Sequence, residues 1–334
     1  MDRDSIAAVG REPHGGSTDP DVLDFSANTN PESPPGVAAV YRESLTAARA
    51  YPAEPPEEYR AAAGAYVGVS PDEIVPTPGG LAAIRLALEV AVNPGDSVLV
   101  PTPSFGEYER EVELQGATPV FVPYEELPAA DPADHAAALV CNPNNPTGDA
   151  YAPDELARFA DRCRNAGTVL IADEAFLGFT TEPSLSGTEG VIVARSLTKL
   201  FGLPGLRAGF AVATGTYRDR LAAARRTWNV GVPALRVGAH SMRGSDFVAE
   251  TRARVAEERE RMGAALRDRY EVHPSDSPFL LLEVTEAPVD DLLERAADAG
   301  IVIRDARTFR GLESHVRVAV RMPHENDRLL EVLT

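Results

Sequence analysis

The chain has 334 residues, of which 51 are Asp or Glu and 32 are Lys or Arg, so its net charge is −19 at pH 7. This acidity argues against nucleic acid or an anionic membrane as a partner, and no apolar run approaches the roughly 18 residues that a membrane span needs. The two cysteines, Cys141 and Cys163, belong to no Cys/His cluster, so we expect neither a disulfide framework nor a metal site.

The first 45 residues are the least regular part of the chain. They are rich in Gly, Pro, Asn and Asp, but Val22, Leu23 and Phe25 add an apolar pattern. We therefore predict an N-terminal arm, residues 1–45, that packs on the small domain and the active site instead of staying disordered. Helices are predicted at about 34–48 and 57–66.

From residue 74 onward, short apolar strands alternate with helices. Strands are predicted at 74–75, 97–101, 118–122, 137–141, 168–172, 190–195 and 208–213, with helices at 81–92, from the loop 103–105 to about 114, and at 153–165. Near-continuous apolar strands separated by helices predict an α/β fold with a mainly parallel, covered sheet. We assign this large domain to residues 46–230.

The last third of the chain has a different pattern, with long helices and few strands. Helices are predicted at 215–228, 233–244, 246–270, 289–299 and 325–333, and strands at 279–284, 301–303 and 316–320. This pattern predicts a smaller α+β C-terminal domain, residues 231–334, that begins along a helix.

Lys199 is the only lysine, since the other 31 of the 32 basic residues are arginines. A lysine amine can lose its proton and attack a carbonyl, whereas an arginine guanidinium stays protonated. The Ser196 hydroxyl and the Arg207 guanidinium lie close enough in sequence to hold a phosphate beside the amine. An amine next to a phosphate clamp indicates a Schiff base with pyridoxal 5'-phosphate (PLP); the alternative is a surface lysine retained by chance.

Further candidates stand where predicted strands end, which is the edge where open α/β sheets bind ligands. Gly79 and Gly80 precede a helix, so their backbone and the Leu81 N–H can face an anion. Asp173 suits a protonated pyridine nitrogen, and Asn145 suits the phenolic oxygen of the same ring. Each residue alone also fits an ordinary turn or cap, so the hypothesis rests on their order and their shared edge.

The order of these residues resembles a known family. The chain resembles the fold-type-I PLP-dependent transferases of the aspartate aminotransferase superfamily. The segments that carry this resemblance are Asn145-Pro-Thr-Gly, Asp173-Glu-Ala-Phe and Ser196-Leu-Thr-Lys199, followed by Arg207. Within it the chain is similar to the histidinol-phosphate aminotransferase branch, and most similar to its threonine-phosphate decarboxylase subgroup. The segments that carry the subgroup resemblance are 14–16, 24–31, 102–108, 173–176, 303–304 and 317–321.

The resemblance implies a role for each cofactor residue. Lys199 would form the Schiff base and move protons, Asp173 would bind the pyridine nitrogen, and Asn145 would contact the ring oxygen. The residues implied for the cofactor phosphate are Gly79, Gly80, Leu81, Ser196, Arg207 and, in the family's dimer, Tyr51 of the partner subunit. Phe105 is the expected ring-stacking aromatic, with Tyr108 as the alternative.

The resemblance also implies substrate residues and shows departures from the family pattern. Arg317 matches the arginine that takes the substrate carboxylate. The other implied substrate-binding residues are His14, Asn30, Arg304 and Arg321, with His14 and the two arginines as candidates for a substrate phosphate or, alternatively, for surface ion pairs. Phe176 stands near the cofactor where many relatives have Tyr, which removes a hydrogen bond to the ring oxygen, and the decarboxylase subgroup shares this Phe. The loop 77–81 lacks the usual side-chain donors and leaves the phosphate to backbone N–H groups.

The resemblance leads us to expect PLP-dependent decarboxylation of O-phospho-L-threonine to (R)-1-aminopropan-2-ol O-phosphate, a step of cobalamin biosynthesis. The alternative is a histidinol-phosphate aminotransferase using 2-oxoglutarate, and a third, disfavoured alternative is a non-catalytic PLP-binding regulator. We expect a homodimer with a shared active site. The charged N-terminus lacks an apolar signal region, which predicts a cytoplasmic protein. Lysine depletion with excess acid predicts adaptation to high salt, although a GC-rich genome would also favour Arg over Lys.

Overall fold

The secondary structure is taken from a computed structural model that describes residues 1–334. In chain order the strands are β1 (Leu23–Asp24), β2 (Ile74–Thr77), β3 (Ser97–Thr102), β4 (Thr118–Pro123), β5 (Ala137–Cys141), β6 (Val169–Asp173), β7 (Val191–Ser196), β8 (Gly209–Val212), β9 (Glu271–Val272), β10 (Phe279–Glu283), β11 (Ile301–Val302), β12 (Arg304–Asp305) and β13 (His315–Ala319). The helices are α1 (Arg3–Ala8), α2 (Val37–Ala47), α3 (Glu57–Val67), α4 (Gly80–Ala91), α5 (Glu107–Leu114), α6 (Pro153–Ala166), α7 (Gly215–Ala224), α8 (Val232–Met242), α9 (Ser245–Leu266), α10 (Val289–Asp298) and α11 (Pro323–Leu333). None of these helices combines the length and hydropathy needed to cross a membrane.

The centre of the fold is a seven-stranded sheet with the order β2-β8-β7-β6-β5-β3-β4. Strands β3 to β7 pair in parallel, and β8 runs antiparallel to both of its neighbours. Every residue of β5 and β6 is buried, as expected for strands covered on both faces. The prediction of an α/β fold with a mainly parallel sheet is therefore confirmed.

Two helices show how the sequence sets the boundaries of the elements around this sheet. Helix α6 begins with Pro153 and ends at Gly167, whose φ of 80° supplies a left-handed cap. Helix α4 follows Gly79, whose φ of 97° turns the chain sharply out of β2. That turn places the N-terminus of α4 at the sheet edge where β6 and β7 also end.

The N-terminal arm is more regular than the sequence indicates. Strand β1 pairs in parallel with β11, and the fully buried Phe25 accepts from the Ala319 N–H at 2.8 Å. Helix α1 is capped by the Asp2 carboxylate. Neither element is predicted from the sequence, because a two-residue strand and a six-residue helix are too short to show a period.

The C-terminal part holds a four-stranded antiparallel sheet with the order β12-β13-β10-β9. Helix α11 packs against α9 and α10, which gives the predicted smaller α+β unit. Helix α8, which lies inside the range assigned to that unit, packs against α2 and α3. The exact domain boundaries stay a prediction.

Candidate active site

A cavity of about 290 Å³ lies at the carboxyl ends of the central strands. Its walls come from the large sheet, from the N-terminal arm and from the β12–β13 region. The charged or titratable side chains that line it are Glu12, His14, Tyr108, Cys141, Asp173, Lys199, Arg207, Arg304 and Arg317. The structure therefore brings most of the predicted site residues together in one place.

Lys199 lies in the loop that follows β7. Its Nζ donates to the Ala27 carbonyl of the arm at 2.6 Å. Burial, together with the nearby Arg317 and Arg207 guanidinium groups, lowers the pKa of Lys199 from 10.5 to about 8. An amine with this pKa is partly unprotonated near neutral pH, which is the form that attacks a carbonyl.

Asp173 ends β6 and is buried beside Lys199. One carboxylate oxygen accepts from the Tyr108 hydroxyl at 2.7 Å and the other from the Ala175 N–H at 3.0 Å. Burial raises the pKa of Asp173, although the Tyr108 hydrogen bond opposes the shift. A buried carboxylate held only by neutral donors has room for a cation, so Asp173 fits the protonated nitrogen of a pyridine ring.

The aromatic residues of the segment 105–108 have separate positions. The Tyr108 side chain is fully buried and committed to Asp173. Phe105 meets the Tyr108 ring edge-on at 5.6 Å and lines the cavity. Phe105 stays our prediction for the ring-stacking residue, while the hydroxyl of Tyr108 has a different task.

The predicted phosphate loop forms a cradle at the start of α4. A Cβ added at Gly79 would lie 2.7 Å from the Arg207 guanidinium, so only glycine lets that side chain approach the helix N-terminus. The cavity is lined by Gly80, Leu81, Ser196 and Arg207 but not by Gly79. Free N–H groups, a hydroxyl and a guanidinium at a helix N-terminus fit the phosphate group of PLP.

Arg317 is a buried cation with no carboxylate partner. It donates to the Asn145 side-chain oxygen and, at 3.0 Å, to the Ser26 carbonyl. The Asn28 amide, oriented with its oxygen toward the guanidinium, accepts two more hydrogen bonds at 3.2 Å. Burial and the neighbouring Arg304 lower the pKa of Arg317 to about 9. A buried guanidinium with only neutral partners is suited to bind an anion such as a substrate carboxylate.

Two predicted substrate residues do not reach the cavity. The Asn30 side chain donates to the Leu200 carbonyl and accepts from Arg254. Arg321 donates to the Asp24 carbonyl at 2.9 Å and pairs with Glu325. We therefore correct their assignment, because both side chains fasten the arm to the C-terminal unit.

Two other residues, from an irregular stretch of the arm, contact Arg317. Asn28 has a left-handed backbone with φ of 53°, which turns its buried side chain toward Arg317. Ser26 presents its carbonyl to the same arginine. The sequence contains a weak signal for Asn28, since the Asn-Thr-Asn-Pro segment holds two amides, but nothing in it tells which amide faces the site.

The remaining predicted residues fall in three places. His14 and Arg304 line the cavity mouth, where His14 Nε2 lies 3.0 Å from Glu107 and Arg304 donates to the Pro13 carbonyl. Phe176 lines the cavity floor, edge-on to Phe279. Tyr51 lies outside the cavity of its own chain, 77% exposed. Its contact with a cofactor phosphate across a dimer stays a prediction.

Comparison with known proteins places this site in a family. The model of the family "Aminotransferase class I and II" matches residues 20–333. Histidinol-phosphate aminotransferase 1 of Archaeoglobus fulgidus is 30% identical over 93% of this chain and 98% of its own length. A relative from Caldanaerobacter subterraneus, named as a threonine-phosphate decarboxylase, is also 30% identical, over 92% of this chain and 88% of its own length.

The solved structures agree with the sequence relatives. L-threonine-O-3-phosphate decarboxylase from Porphyromonas gingivalis superposes with a TM-score of 0.85 at 26% identity, covering 93% of this chain and 98% of that one. Seven of eight similar curated relatives are named histidinol-phosphate aminotransferase, so the names support the predicted alternative better than the decarboxylase. The fold is that of the fold-type-I PLP enzymes, and the cofactor is PLP. The chain belongs to the class I and II aminotransferase family.

Proposed function

We propose that this enzyme acts on a small phosphorylated amino compound. The observation that carries the proposal is the concentration of basic side chains in one cavity of a chain whose net charge is −19. Lys199 and Arg207 serve the cofactor. Arg317, Arg304 and His14 remain, and together they offer separate positions for a carboxylate and a phosphate.

Each residue has a task in the chemistry. Bound PLP supplies an electron sink for the electron pair that substrate Cα retains when one of its bonds breaks. Asp173 keeps the pyridine nitrogen protonated, and Asn145 contacts the ring oxygen. Arg317 holds the carboxylate, and Lys199, with its lowered pKa, takes or returns the proton at Cα.

Transamination of histidinol phosphate with 2-oxoglutarate is one specific reaction within this proposal. Its support is the name that seven of eight similar curated relatives share. In this reaction the phosphate of histidinol phosphate would meet His14 and Arg304. Histidinol phosphate has no carboxylate, so Arg317 would act only on glutamate and 2-oxoglutarate.

Decarboxylation of O-phospho-L-threonine to (R)-1-aminopropan-2-ol O-phosphate is the second candidate. Its support comes from two residues that carry the resemblance to the decarboxylase subgroup, since His14 of the arm and Phe176 both line the cavity. O-phospho-L-threonine carries a carboxylate and a phosphate on one small molecule. That pair matches Arg317 on one side and His14 with Arg304 on the other.

One incubation separates the two reactions. Protein loaded with PLP is given O-phospho-L-threonine alone, or histidinol phosphate with 2-oxoglutarate, at low and at high salt. Release of CO₂ without any 2-oxo acid identifies the decarboxylase, whereas glutamate formation identifies the aminotransferase. Turnover of neither compound by protein that binds PLP would contradict both reactions and favour the non-catalytic regulator.

We further propose a cytoplasmic homodimer adapted to high salt. Tyr51 and Trp228 stack at 4.3 Å while 77% and 49% exposed, and Tyr41 and Leu45 add nearby exposed apolar surface on α2. Exposed aromatic side chains of this size are typical of a subunit interface. Sedimentation in 2 M KCl tests the assembly, and a monomer at micromolar concentration would contradict it.

A further inference from the structure

Glu107 is a buried carboxylate at the entrance of the cavity that none of the roles above uses. It is the first residue of α5, and its side chain is only 6% exposed. One carboxylate oxygen lies 3.0 Å from His14 Nε2, and the other accepts from Arg110 at 3.2 Å. Arg110 in turn donates to the Gly10 carbonyl at 2.8 Å. Glu107 therefore connects α5 with the stretch of the arm that carries His14.

The position of His14 depends on this connection. Its side chain is 50% exposed, and its only side-chain hydrogen bond is the one to Glu107. The ring centroid lies 5.7 Å from that of Phe105, at the wall of the cavity. After His14 the arm is held at Ser26, because the Gly16 N–H donates to the Ser26 hydroxyl. The hydrogen bond to Glu107 therefore fixes the position of the imidazole in this part of the arm.

The neighbouring cation is fastened to the same stretch. Arg304 donates to the Pro13 carbonyl at 2.8 Å and to the Thr308 hydroxyl. A guanidinium and an imidazole therefore converge on one side of the cavity. Arg304 has no ion-pair partner, and the partner of His14 is Glu107. The Glu12 carboxylate also lines the cavity but lies beyond ion-pair distance of both.

We propose that Glu107 is a positioning residue for substrate recognition, which holds His14 so that the imidazole and Arg304 bind the phosphate group of the substrate. The inference rests on the proposed function, because it needs a phosphorylated substrate. An imidazole whose Nε2 donates to Glu107 can donate from Nδ1 only when both nitrogens carry protons. With Nε2 engaged by Glu107, Nδ1 is the ring nitrogen that is left for the phosphate group.

A double-mutant cycle on the PLP-loaded enzyme tests the inference. The variants are Glu107→Gln, His14→Gln and the double variant, and the measurements are kcat and KM for whichever phosphorylated substrate the wild type converts. Inorganic phosphate serves as a competing anion. We expect each single variant to raise KM and the inhibition constant of phosphate about tenfold or more, as when a hydrogen bond between charged groups is lost. We expect kcat to stay within about threefold, because Glu107 touches no reacting atom.

The coupling between the two positions is the decisive result. If Glu107 acts through His14, the double variant should bind no worse than either single variant. Losses that multiply, or a Glu107→Gln variant with wild-type KM, would overturn the proposal. His14 is half exposed, so His14→Gln should fold even if Glu107→Gln does not, and an unchanged KM in that variant alone would also overturn it.

Glu111 provides a matched control on the same helix. It is fully buried and bonds Arg85 through both oxygens at 2.6 and 2.7 Å. It also lies 3.5 Å from Arg110 but makes no hydrogen bond to His14, so it tests whether the ion-pair network alone accounts for the effect. Glu111→Gln should lower the melting temperature without changing KM, and an equal rise in KM would reduce Glu107 to a structural role. A wild type that converts neither phosphorylated compound would instead contradict the proposed function itself.

Discussion

Replacing Arg317 with Met should abolish carboxylate recognition while the protein still folds. The pKa of Arg317 lies at about 9, against its usual 12.5, chiefly because the guanidinium is buried. At about 1.36 kcal/mol for each pH unit, keeping this cation buried costs on the order of 5 kcal/mol below pH 9. The Met side chain removes that cost but leaves the Asn145, Ser26 and Asn28 oxygens without their donor, at about 1–3 kcal/mol each.

The two effects on stability nearly cancel. We expect the free energy of unfolding at pH 7 to lie between about 4 kcal/mol below and about 2 kcal/mol above that of the wild type, as measured by urea denaturation. The effect on catalysis should be large, because losing a buried partner of a charged group costs about 2–5 kcal/mol. For a substrate with a carboxylate, kcat/KM should therefore fall roughly 30- to 4,000-fold.

Arg259 provides a matched control for Arg317. Arg259 is another arginine whose pKa burial lowers, and it donates to the Ser277 carbonyl away from the cavity. Arg259→Met should leave kcat/KM unchanged. Binding of histidinol phosphate, which has no carboxylate, should survive Arg317→Met. Loss of more than about 4 kcal/mol of stability in Arg317→Met, or wild-type kcat/KM for O-phospho-L-threonine and glutamate, would contradict the role of Arg317.

Three further changes have defined outcomes. In the PLP-free protein, Lys199→Met should be up to about 3 kcal/mol more stable than the wild type at pH 7, and the gap should shrink between pH 8 and 10.5, where unfolded wild type binds more protons than folded; a gap in urea denaturation that is as large at pH 10 as at pH 7 would contradict this. Gly79→Ala should weaken PLP binding in a fluorescence titration far more than Gly95→Ala, since only Gly79 has Arg207 against its missing Cβ; equal losses would refute it. The melting temperature should rise from 0.15 to 2 M KCl because salt screens the net charge of −19, and a fall would count against salt adaptation.

The part of the site built on the sheet follows from local sequence patterns. Asp173 and Ser196 end β6 and β7, and parallel neighbours end at the same sheet edge. The glycines before α4 mark a turn to the same edge. These positions depend only on strands, helices and their order. One sequence, read without an alignment, is therefore enough to place Lys199 beside Asp173.

The arm could not be placed in this way. Its contacts join residues nearly 300 positions apart, such as Phe25 with Ala319, and no periodicity encodes such a pairing. Side-chain direction in its irregular stretch depends on single backbone angles, so that Asn28 faces the site and Asn30 faces away. Glu107 was hidden for a related reason, because a helix-starting Glu is ordinary until the arm packs against it.

We propose that Lys199 carries the cofactor, and one chemical measurement tests this role directly. The PLP-loaded protein is treated with borohydride, which reduces an imine to a stable bond, and its peptides are analysed by mass spectrometry. Because Lys199 is the only lysine, the N-terminal amine is the sole competing amine. We predict a phosphopyridoxyl group on the peptide that contains Lys199, and none on Lys199→Arg. Modification of the N-terminus alone, or of neither amine, would contradict the proposed role of Lys199.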